Sequence, residues 1–125
     1  MHRDWDSLAA FYLDLAKQGA EGGGVFTALG RLCTSISSSA LRDGLFGHTS
    51  MFNLKISQVE TDFPPHHTLQ WLVLRPDNKN GCIEITLESG RPHNEGDWVR
   101  KVGIDEVEAC FNTVLRELGW SYYPV

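Results

Sequence analysis

The chain of 125 residues, 42% hydrophobic and 22% charged, has the makeup of one globular domain that buries roughly two thirds of its unfolded surface, which excludes a disordered or fibrous polymer. Its formal charge of −5 repels phosphate, so general binding to nucleic acid or anionic lipid is not expected. No apolar run approaches the roughly 20 residues that cross a bilayer, and residues 1–6 (Met-His-Arg-Asp-Trp-Asp) lack the apolar core of a secretory signal, so a soluble, cytoplasmic protein is expected.

Residues 4–18 place Trp5, Leu8, Ala9, Tyr12, Leu15 and Ala16 at helical intervals, with Asp4 and Asp6 near the positive end and Gly19 past the last turn. Residues 19–24 hold four glycines in six positions and read as a flexible connection. A second helix is predicted over 26–41, because Val25, Leu29, Leu32, Cys33, Ile36 and Ala40 share one face. Its rival is a strand over 32–38, where Leu32, Thr34 and Ile36 alternate.

A loop is predicted around Asp43, Gly44 and Gly47. Phe52, Leu54 and Ile56 then alternate with Asn53, Lys55 and Ser57 as a half-buried strand. Residues 69–74 form a denser apolar run that reads as an interior strand. The turn formers of 76–81 join it to a third strand, in which Ile83, Ile85 and Leu87 alternate with Glu84, Thr86 and Glu88. After a polar turn at 90–96, residues 98–102 make a short fourth strand. Residues 104–119 close the chain with the clearest helix: Asp105 and Glu108 are spaced as a capping box, and Val107, Cys110, Phe111, Val114, Leu115 and Leu118 recur on one face. Gly119 provides the left-handed stop.

Short polar links between strands imply an antiparallel meander. The expected fold is α+β, a two-layer sandwich in the order α-α-β-β-β-β-α, with three or four strands covered by helices on one face and largely wet on the other.

Three cysteines, Cys33, Cys82 and Cys110, are odd in number and widely spaced; free thiols fit, with Cys33 and Cys110 on apolar helix faces. The glycine run follows a helix, lacks the lysine and hydroxyl of a phosphate loop, and carries Glu21 where phosphate would sit. His2, His48, His66, His67 and His93 show no ligand spacing, and adjacent His66 and His67 in an extended chain point to opposite sides. No metal or cofactor is expected. An acid/base site could be built from Glu84 or Glu88 with His93 or Asp97, and the rival from another class is a small hydrolase or lyase using His66 or His93 with Glu88 or Asp97.

The charge is uneven. From Glu84 to Glu108 seven acids face three bases, a local −4. Beside these acids lies Trp98, with Trp120, Tyr122 and Tyr123 further on, a mixture of aromatic anchors and acidic guidance suited to a protein interface. The expected contacts are Glu84, Glu88, Glu95, Asp97, Trp98, Glu106 and Glu108. In size, charge and coarse architecture alone the chain resembles the immunity proteins of bacterial toxin systems. That resemblance implies a stoichiometric inhibitor, acting as monomer or homodimer, that occludes a basic toxin domain such as a nuclease. A secretion-chaperone-like binding protein is the alternative within the binding class.

Overall fold

The computed structural model describes residues 4–18, 23–58, 70–89 and 98–120. Helix α1 (Trp5–Gln18) and helix α2 (Gly23–Ser37) lead into a 3-10 turn at Ala40–Asp43 and five strands: β1 (Phe46–Ser50), β2 (Asn53–Ser57), β3 (Gln70–Asp77), β4 (Cys82–Ser89) and β5 (Trp98–Gly103). A 3-10 turn at Ile104–Glu106 then enters helix α3 (Val107–Leu118). The strands pair in chain order as one antiparallel sheet, the α+β meander expected from the short links.

The helices cover one face. Leu54 and Ile56 of β2, Leu72 and Leu74 of β3, Ile83, Ile85 and Leu87 of β4 and Val102 of β5 point into a core completed by Leu8, Tyr12, Leu29, Leu32, Ile36, Phe111, Val114 and Leu115 of the helices. Cys33 is buried there, and desolvation pushes its thiol up to about 12, which makes it an inert packing group. Tyr12 is buried too, and its hydroxyl donates to the carbonyl of Phe52 at 3.0 Å. Trp5 is held likewise, its indole N–H donating to the Leu45 carbonyl at 3.0 Å.

Several expectations are corrected. The sheet has five strands, because 46–50, read as part of a loop, pairs with β2 from Phe46↔Ser57 to Ser50↔Asn53. Its sequence hides it: Gly47 is a strand residue whose missing side chain makes room for α1, since a Cβ there would sit 2.5 Å from Leu8 Cδ1 and 2.9 Å from the Trp5 ring. Residues 32–37 are helical, and α2 begins at Gly23 and ends at Ser37, so two glycines assigned to the connection belong to its first turn.

The capping box does not form. Asp105 lies within the 3-10 turn, Glu106 occupies the cap position of α3 without a side-chain bond, and Glu108 instead accepts from Ser35 Oγ of α2 at 2.7 Å. The predicted stop holds, with Gly119 at φ 72° and its N–H on the Arg116 and Leu115 carbonyls.

The second sheet face is not largely wet. His48, Ser57, Trp71, Val73 and Thr86 are buried on it, because the central strand β3 is apolar on both sides, with Trp71 and Val73 turned away from the helices and Leu72 and Leu74 toward them.

Candidate partner-binding surface

The expected contact residues that the structure describes lie on different parts of the fold. Glu84 and Glu88 lie on the sheet face away from the helices, where the side chain of Arg75 runs along β4. Its guanidinium donates to Glu88 Oε2 at 2.8 Å and to Thr86 Oγ1 at 3.2 Å, and comes within 3.8 Å of Glu84 Oε1. Lys101 stands opposite Glu84 on β5. Cations therefore answer these two carboxylates from both neighbouring strands, which weakens any acidic field from this face.

Trp98 is on the helix side, opposite Leu87 and packed against the core edge. The Arg100 guanidinium lies 4.5 Å from its ring centroid and is itself paired with Glu117 of α3. Glu95 and Asp97 lie outside the described residues, as do His66, His67, His93, Tyr122 and Tyr123. Glu108 is exposed but tied to Ser35. Glu106 is exposed, as is its neighbour Asp105, and neither side chain makes a hydrogen bond or ion pair with another described residue.

The register shows what stands near Asp105 and Glu106. Ser50 faces Asn53, Asp77 faces Cys82 and Cys82 faces Gly103, so the β1–β2 turn, the β3–β4 turn and the exit of β5 all lie at one end of the sheet. Of the four large apolar side chains exposed among the described residues, three emerge at this end: Met51 at 86%, Phe52 at 49% and Ile104 at 36%. Four strand spacings of about 4.8 Å separate β1 from β5, so this edge is about 19 Å long.

The first turn of α2 fills the space behind it. Phe26 meets Phe52 edge-to-face at 5.8 Å between ring centroids, and Ile104 Cδ1 packs so close to Gly24 that a Cβ there would lie 3.2 Å away. The Tyr12 hydroxyl fixes the carbonyl of Phe52 from below. Met51 holds a left-handed φ of 58°, a conformation that costs a side-chain-bearing residue roughly 1–2 kcal/mol. A strained, exposed methionine beside an exposed phenylalanine is a double expense for the fold, and such expense concentrates at functional positions.

Met51, Phe52, Ile104 and Asp105 were not among the sequence-predicted contacts. Phe52 reads as the first apolar residue of a strand, and a two-residue hairpin turn of Met-Phe carries none of the glycine or asparagine that announces one. Only strand pairing brings residues 51–52 and 104–106 to the same end.

The described residues contain no cluster of three or more His, Cys, Asp or Glu side chains placed to hold a metal ion. No helix among them is long and apolar enough to cross a membrane. Comparison with protein-family models, with curated proteins and with solved structures returned no match.

Proposed function

We propose that this protein is a stoichiometric inhibitor of the immunity type, which binds a basic toxin domain, such as a nuclease, and blocks its cleft. The observation that carries this reading is the exposure of Met51, Phe52 and Ile104 along the one sheet end where Asp105 and Glu106 stand without a described cation. Apolar anchors that desolvate on contact provide most of an interface's free energy, while flanking carboxylates raise the rate of encounter with a basic surface.

Of the contacts expected from the sequence, Glu106 belongs to this end and Glu108 follows it in the first turn of α3. Glu84 and Glu88 act as structural partners of Arg75, so they contribute little steering. The reading favours a rigid docking surface over a chaperone's adaptable groove, because the anchors are fixed by Phe26, Gly24 and Tyr12.

The test is capture of a folded basic partner from native lysate, followed by association kinetics at low and high salt. Asp105→Lys with Glu106→Lys is expected to slow association by about tenfold or more at low salt and to flatten its salt dependence, as steering predicts. Met51→Ser with Phe52→Ser is expected to raise the dissociation rate instead. Unchanged kinetics in both double variants would remove this end of the sheet from the interface and the proposal with it.

A further inference from the structure

We infer that the cavity beneath the 3-10 turn, at the end of the molecule opposite the proposed docking surface, binds a small organic cation with an apolar body. It has a volume of about 460 Å³ and is lined by Ala40, Leu41 and Asp43 of the 3-10 turn, by Gly44 and Leu45 after it, by Gln58 following β2 and by Trp120 after α3. That volume falls in the range that holds small-molecule ligands, roughly 300–1,000 Å³.

Its apolar wall is part of the core. Leu41, Leu45 and Trp120 are all buried, and backbone bonds fix each of them: Leu45 N–H donates to the Leu41 carbonyl at 2.9 Å, and Trp120 N–H to the Leu115 carbonyl at 2.8 Å. The site is therefore built before a ligand arrives, which lowers the ordering cost of binding.

The chemistry at the rim selects the sign of charge. Asp43 is the one charged side chain among the described lining residues. It is exposed and makes no hydrogen bond or ion pair with another described residue. Arg42, its neighbour, lines an adjoining recess of about 250 Å³ and donates to the Ser37 carbonyl at 3.3 Å. Asp43 borders both spaces, and Asp4 and Asp6 line the second.

Among the described lining residues an anion would meet a carboxylate and no cation. A neutral apolar molecule would desolvate Asp43 without compensation. An amidinium or ammonium group on an aromatic or aliphatic stem satisfies the carboxylate while its body covers Leu41, Leu45 and the indole of Trp120.

The test titrates the full chain with benzamidine and phenethylamine, and in parallel with their neutral isosteres benzamide and 2-phenylethanol. Binding is followed by amide and indole shifts in ¹H–¹⁵N spectra. Saturable shifts are expected at Leu41, Gly44, Leu45, Gln58 and the Trp120 indole, with the isosteres and Asp43→Asn each weakening binding by about tenfold or more, the equivalent of 1.4 kcal/mol. Asp43→Glu keeps the charge and is expected to retain saturable binding, which separates charge recognition from packing. Absence of saturable shifts with either cation, equal binding of the isosteres, or undiminished binding to a folded Asp43→Asn variant would each overturn the assignment. Because the proposed docking residues lie at the other end, these outcomes are independent of partner capture.

Discussion

Two residues show how position, more than type, sets the cost of a side chain here. Gly47 sits where α1 presses on β1, with Leu8 Cδ1 and the Trp5 ring in the space its Cβ would need. Gly47→Ala is therefore expected to destabilise the fold by about 1–3 kcal/mol, the usual penalty for overpacking; a shift of the urea midpoint without a change in slope would show it. Met51 has the reverse character. Its φ of 58° suits glycine, so Met51→Gly should raise stability by about 0.5–1 kcal/mol even though the unfolded chain gains freedom. A lower midpoint for this variant would mean that the side chain contributes packing its exposure does not suggest.

At the scale of elements, the β3–β4 hairpin was legible because its turn chemistry is local. Asp77 Oδ1 accepts from the Asn80 backbone N–H at 3.1 Å and Oδ2 from the Asn80 side chain at 2.8 Å, while Gly81 takes φ 64°. These hydrogen bonds, first the side-chain and then the backbone contact from Asn80, hold the Asp77 carboxyl below its ordinary 3.8. A carboxyl with a depressed folded pKa stabilises the protein above its unfolded pKa, and that contribution is lost as pH falls through the folded value. Asp77→Asn is thus expected to lower stability at neutral pH and to flatten part of the acid arm of a stability-versus-pH curve below about 3.8, so that variant and parent converge in acid. An identical acid arm in the variant would show that the carboxylate is not linked to folding. The β1–β2 hairpin escaped notice for the opposite reason, since neither Met51 nor Phe52 is a turn former and β1 carries Gly47, His48 and Thr49 in place of an apolar alternation.

Across the whole molecule, acidic composition divides into two populations that no count of charges separates. Glu84 and Glu88 share Arg75, and Glu117 pairs with Arg100, whereas Asp105 and Glu106 have no described partner. Glu84→Lys with Glu88→Lys would set two new cations beside Arg75 and Lys101 on one sheet face, and thermal melts should register a loss of about 1 kcal/mol that diminishes with salt. Reversal of Asp105 and Glu106 should leave stability within about 0.5 kcal/mol, as surface substitutions usually do. Equal melting of the two double variants would contradict this division.

The sequence by itself determined what depends on neighbours along the chain: the first and last amphipathic helices, the Gly119 stop, the alternating strands from β2 onward, and the antiparallel order imposed by short links. The second helix kept a strand over 32–38 as its rival until the structure showed 32–37 helical. Periodicities of 3.6 and 2 residues and turn chemistry act over a few positions, so they can be read without coordinates. Tertiary structure alone decided which carboxylates have cations, because Arg75 reaches Glu88 only across a strand pair, and which apolar residues gather at one end of the sheet. It also formed the cavity, whose walls come from the turn, the end of β2 and the residue after α3. Contacts between residues far apart in sequence depend on register and helix placement, and those are settled only when the whole core packs.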